Sequence, residues 1–166
     1  MQTLEAINKR HSTREFQGKL IAKDDLLKLL DAGRLAATAR NEQPWEFVVV
    51  TEREKLQELA RIAANNGPFL AEAACCVAVL CRDTKYYLED GCAATENILI
   101  AAGDLGIGSC WVAGDKKPYC ELVKRLLEAP AGLKLVSLIA LGYQKENSLK
   151  TPDKRKLKEV IHWQKF

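Results

Sequence analysis

The stretch from Tyr86 to Leu105 constrains this chain most, because it reads as one long helix that is apolar on most of its sides. Such a helix needs cover on more than one face, which puts it at the centre of a domain. It stops at Gly106 and Gly108, where glycine is free to take left-handed backbone angles. Four segments read as strands: Trp45 to Thr51, Cys75 to Cys81, Ser109 to Val112 and Leu133 to Gly142. Thr3 stands where it would cap a helix through Lys9, and Lys23 to Leu35 and Glu52 to Ala64 have helical periodicity. Pro118 to Leu127 reads as a helix with proline in its first turn. A polar loop runs from His11 to Ile21. The tail segment from Lys158 to Trp163 has strand character and no hairpin partner. A sheet elsewhere, for instance in a second subunit, is its expected partner.

No repeat, linker or low-complexity stretch divides the 166 residues, so a single domain is expected, with an arm from 150 to 166. Residues 1–20 lack a signal-peptide pattern. The longest apolar run, Ile98 to Val112, is short and broken by glycines and Asp104. These readings place the protein in the cytoplasm, away from membranes. A net charge of +3 is too small to indicate a nucleic-acid binder, yet it suits a protein that holds a phosphorylated small molecule. The six cysteines form no C-x-x-C pair, and no histidine stands at zinc-ligand spacing, so no metal is expected. Most of them lie in apolar runs, as small buried hydrophobes do.

Four groups of residues could carry chemistry. In Arg10-His11-Ser12-Thr13-Arg14, alternate residues of an extended loop point the same way, so Arg10, Ser12 and Arg14 share a face. Two guanidinium groups and a hydroxyl make either an anion site or a solvated basic loop. Asn41 and Gln43 bring amides to the start of a strand, and Pro44 biases Gln43 toward extended angles. They could read the polar edge of a heterocycle or simply satisfy the backbone. Gly106 to Gly114 admits close backbone approach, but it lacks the dinucleotide fingerprint. The basic run around Lys154, Arg155 and Lys156 is a second candidate phosphate grip or a solvated charge run. There is no G-x-S-x-G elbow and there are only two histidines, so reactive chemistry falls to a cofactor and no catalytic side chain is assigned.

Taken in order, these motifs resemble the nitroreductase family in its small FMN-dependent branch. The similarity is carried by I-N-K-R-H-S-T-R-E-F, by A-A-T-A-R-N-E-Q-P-W-E-F, by the run from Glu89 through Trp111, and by Leu141-Gly-Tyr143. The resemblance implies an α+β fold in which a mostly antiparallel sheet is flanked by helices. It also implies a homodimer whose C-terminal segments cross to the partner, with FMN at the interface. Arg10, Ser12, Lys154 and Arg155 would then lie at the FMN phosphate and Arg14 near the pyrimidine edge, with His11 also among the cofactor-binding residues. Thr38, Asn41 and Gln43 would approach the flavin, some from the second subunit. Backbone groups of Val112, Ala113 and Gly114 would face its N5 edge. Departures from the family pattern are Ala37-Thr38 for Pro-Ser, Glu96 for a common Gln, and Gln144 for the Pro after Gly-Tyr.

The implied activity is electron transfer from NADH or NADPH, through FMN, to a nitroaromatic, quinone or related small acceptor by a ping-pong mechanism. Alternatives keep the fold with other flavin chemistry, such as dehydrogenation or dehalogenation. Another is a non-enzymatic flavin-binding or redox-sensing protein that uses Cys75 and Cys76.

Overall fold

A computed structural model of the chain describes residues 2–146 and 153–166. Five helices are present: α1 (Thr3–Lys9), α2 (Lys23–Arg34), α3 (Arg53–Ile62), α4 (Tyr87–Asp104) and α5 (Cys120–Leu126). The strands are β1 (Trp45–Val50), β2 (Cys75–Arg82), β3 (Gly108–Ala113) and β4 (Leu133–Gly142). They form one sheet in the order β1-β2-β4-β3, with every neighbouring pair antiparallel. The α+β architecture read from the sequence is therefore the one observed.

The sheet has a helical layer on each face. On one side α2 and α4 bury Leu29, Ile98, Leu99 and Ala102 against Val77, Val79, Ile139 and Leu141. On the other, α3, α5 and the turn Pro68–Ala71 bury Leu56, Leu59, Val123 and Leu70 against Cys76, Ala78, Leu80 and Leu138. Double cover explains why β2 is an unbroken apolar run: Cys75 through Cys81 are all buried. Cys75 and Cys76 point into opposite layers, as neighbours in a strand must. Burial pushes the Cys75 thiol up to about 12 and raises Cys76 as well, which leaves both unreactive near neutral pH.

Several local expectations change. Gln2, not Thr3, precedes α1, and no side chain caps that end. Pro118 falls in the turn ahead of α5, where Lys117 N–H donates to Gly114 O and Cys120 N–H to Lys117 O. Among its described residues, Asp153 to Phe166, the tail forms a 3-10 turn at Leu157–Glu159 and no strand, and all of them are exposed. A strand needs a ladder partner, and no strand of this chain is paired with the tail. The first residues of the expected 150–166 arm lie outside the described residues. No described helix is long and apolar enough to cross a membrane.

Candidate functional site

Residues 10–17 form a strap along the free edge of β3. Ser12 bridges Ser109 in parallel, and Thr13 N–H donates to Ser109 O at 2.8 Å. Further on, Phe16 bridges Gln144, Gln17 N–H donates to Tyr143 O at 2.8 Å, and Lys145 N–H donates to Glu15 O at 3.0 Å. Two glycines make the seat. A Cβ on Gly108 would lie 2.8 Å from the Thr13 side chain, and one on Gly142 would lie 2.8 Å from the Phe16 ring. Phe16 is 1% exposed and anchors the strap in the core.

The strap's alternation sorts its side chains. His11 turns to Gln144, with Nε2 at 2.6 Å from Gln144 Oε1, and its Nδ1 lies 2.9 Å from Lys9 O. Thr13 Oγ1 donates to the same Gln144 oxygen at 3.4 Å. Ser12, Arg14 and Arg10 all act on the Cys110 thiol, whose pKa is nonetheless raised because burial outweighs them. The nearest partners of the two arginines then diverge. Arg10 Nε lies 3.9 Å from Glu96 Oε1 on α4, and the Arg14 guanidinium sits 5.9 Å from the centre of the Phe69 ring. A cavity of about 400 Å³ opens beside Arg10, His11 and Thr13, walled by Gly103, Gly106 and Ser109.

The Thr38 to Trp45 connection is a knuckle in which Arg40, Asn41 and Gln43 all have positive φ. Gln43, at φ 46°, therefore departs from the extended backbone expected before Pro44. Its N–H donates to Thr38 Oγ1 at 3.1 Å, and Arg82 donates to the carbonyls of Glu42 and Gln43, so tertiary bonds override the local preference. The buried Asp90 carboxylate holds the base of the knuckle, accepting from Thr38 Oγ1 at 2.8 Å and from Ala39 N–H at 3.0 Å. Gln43 Nε2 donates to Asn41 Oδ1, and both residues are exposed. Asp90 lies in the first turn of α4 and Gly103, which touches Arg10, in its last. At 1.5 Å per residue these points are roughly 20 Å apart along the helix. Within one chain, Thr38, Asn41 and Gln43 are thus at the far end of α4 from Arg10.

The third group, Val112, Ala113 and Gly114, ends β3. Val112 is buried, the Ala113 carbonyl accepts from the Tyr119 hydroxyl, and the Gly114 carbonyl accepts from the Cys120 thiol. Gly114 and Asp115 N–H both donate to Val136 O, at 3.1 and 3.2 Å. Asp115 accepts from Tyr87 at 2.8 Å, and that bond, with burial, holds the Tyr87 hydroxyl up at about 12. Arg155 donates within its own segment, to Glu159 O at 2.7 Å, and both it and Lys154 are exposed.

Sequence reasoning assigned no role to Phe69, Asp90, Glu96 or Gln144. Glu96 and Gln144 stood out as departures from a family pattern. Phe69 follows a Gly-Pro turn signal but gave no chemical hint. No group of three or more metal-ligating side chains occurs among the described residues.

Comparison with known proteins gives a consistent picture. The family model described as "Nitroreductase family" matches residues 7–75, and one described as "Putative TM nitroreductase" matches residues 58–165. A protein named "Putative NADH dehydrogenase/NAD(P)H nitroreductase" from Archaeoglobus fulgidus is 36% identical, with 99% of each chain covered. An FMN-dependent nitroreductase from Clostridium difficile superposes with a TM-score of 0.91 at 26% identity, covering 98% of this chain and 99% of that one. A Bacteroides fragilis nitroreductase solved with bound FMN superposes at 0.82 and 28% identity, with 98% of each chain covered.

Proposed function

The chain belongs to the nitroreductase family, and from that premise we propose that it is an FMN-dependent NAD(P)H oxidoreductase acting as a homodimer. One observation carries the reading: the strap is fixed to β3 at Ser12 and Thr13 by backbone pairing, and the Arg10, Ser12 and Arg14 side chains all act on one point of that strand, the Cys110 thiol. Two cations and a hydroxyl suit a phosphate-bearing, electron-accepting ligand, so the donor set fits FMN. Arg10 and Ser12 take its phosphate, and Arg14 lends positive charge to the ring. His11, with both ring nitrogens engaged, fixes the strap to Gln144 and borders the phosphate end. Backbone groups at Val112, Ala113 and Gly114 line the ring side, held in place by Tyr119 and Cys120. Bound there, FMN would supply the redox chemistry of an NAD(P)H oxidoreductase whose acceptor is a nitroaromatic, quinone or related small molecule. The protein binds and orients, and no side chain is assigned a catalytic role.

The dimer has two physical supports. Thr38, Asn41 and Gln43 lie roughly 20 Å along α4 from Arg10, so a partner's knuckle is better placed than the chain's own to complete the site. The tail also exposes Leu157, Val160, Ile161, Trp163 and Phe166, apolar surface that a second subunit would cover. Its Lys154 and Arg155 would then join the partner's phosphate site. On this reading residues 1–166 are one FMN-binding domain with an exchanged arm from 150. The six cysteines, all free, suit a reducing compartment such as the cytoplasm.

The test is an absorption spectrum of the purified protein, followed by rates with each nicotinamide and a nitroaromatic. Flavin bands, a dimeric mass and parallel double-reciprocal lines are expected. Protein that stays colourless after FMN is added would overturn the proposal.

A further inference from the structure

Arg10 is not a free cation waiting for an anion. Its Nε lies 3.9 Å from Glu96 Oε1, and the arginine side chain is mostly covered, at 22% exposed. The geometry of α4 explains the pairing. Gly103 faces the backbone of Arg10, where a built Cβ would be in ordinary van der Waals contact, 3.6 Å from Arg10 Cα. Glu96 stands seven residues earlier, two turns along the same helix face. The arginine therefore extends back along α4, from beside Gly103 to a carboxylate. The Glu96 side chain is itself 49% exposed. Arg14 and Ser12, by contrast, have no carboxylate among the bonds and ion pairs of the described residues. Among the described residues, Glu96 is the carboxylate that pairs with an arginine of the strap's anion-binding face.

We propose that Glu96 competes with the flavin phosphate for Arg10 and so sets how readily FMN leaves the protein. This rests on the FMN reading above. A phosphate arriving at Arg10 must share the guanidinium with Glu96 and meets a negative charge beside it. Each effect weakens phosphate binding without touching the ring. Removing the charge while keeping the shape, with Glu96→Gln, frees Arg10 for the ligand. Glu96 is a positioning residue here, since it acts through Arg10.

The test compares FMN with riboflavin, which has the ring and ribityl chain but no phosphate. Dissociation constants are measured by flavin fluorescence on full-length apoprotein. Glu96→Gln is expected to tighten FMN on the order of threefold, the scale of one partly exposed ion pair, and to leave riboflavin unchanged. In an Arg10→Gln background, the same Glu96→Gln change is expected to do nothing to FMN. FMN binding that is unaltered or weakened by Glu96→Gln overturns the proposal, as does a gain shared by riboflavin or a gain that persists without Arg10. Binding of neither flavin by the unaltered protein overturns the FMN reading itself. The two failures are therefore distinct. Far-UV circular dichroism and a thermal melt on each variant show that the fold is intact.

Discussion

Two basic segments lie at the two ends of this chain, and they are built in opposite ways. The strap at 10–17 is bound to β3 and the end of β4 by backbone hydrogen bonds, with Thr13 and Phe16 buried. The tail at 153–166 keeps to itself: Arg155 donates to Glu159 O, Lys156 N–H to Glu159 Oε2, and His162 stacks on Phe166 at 4.0 Å. Both are clusters of cations beside hydroxyl or apolar residues, and charge patterning alone does not separate them. The difference lies in what their apolar residues touch. Phe16 finds a glycine-floored seat at Gly142 in its own chain, whereas Trp163 and Phe166 remain exposed. A cation on a seated segment is preorganised. A cation on an unseated one must be ordered by whatever binds it, and that ordering costs conformational entropy.

The sharpest way to break this contrast is to end the chain at Lys150. The strap's bonds all lie earlier in the chain, so the fold should survive while the dimer and FMN retention are lost. Size-exclusion chromatography with light scattering, together with the flavin spectrum, reads both. A stable flavin-loaded dimer would mean that the tail has no such part. Next in size is Phe16→Ala, which removes a fully buried ring from the strap's anchor. It should cost about 3–5 kcal/mol in urea unfolding. A loss below about 1 kcal/mol, the range of ordinary surface changes, would show that the strap is not seated as described. Smaller again is the comparison of Arg14→Gln with Arg155→Gln. Losing one charge-assisted contact from the preorganised strap should weaken FMN roughly tenfold. The tail variant should weaken it by a few-fold at most, because neighbouring Lys154 and Lys156 can substitute. Equal losses would erase the distinction between the two segments.

How far the sequence could be read follows the same division. The strands β1, β2 and β4 were legible because sheet burial leaves continuous apolar runs, and β4 was read with its observed bounds. The extended course of the segment after Arg10 was legible as well, and it is seen in the bridges Ser12 makes to Ser109 and Phe16 to Gln144. What escaped depended on distant partners. Gln43 takes a left-handed backbone because Thr38 and Arg82 hold its amide and carbonyl, thirty-nine residues separating Gln43 from Arg82. Glu96 and Asp90 are unremarkable acids on a helix until the fold sets Arg10 and Thr38 against them. The tail's β-branched residues suggested a strand, but strand propensity has no expression without an edge to pair with.

The strap also bears on the order in which the molecule is made. Its bonding partners are Ser109, Tyr143 and Gln144, about a hundred residues downstream or more. A nascent chain carries Arg10, Ser12 and Arg14 well before β3 and β4 have been synthesised, and until then has nowhere to put them. The pairing is long-range and so forms late. The strap is then among the last elements to dock, and newly made polypeptide should gain its affinity for cofactor only once β3 and β4 have been synthesised.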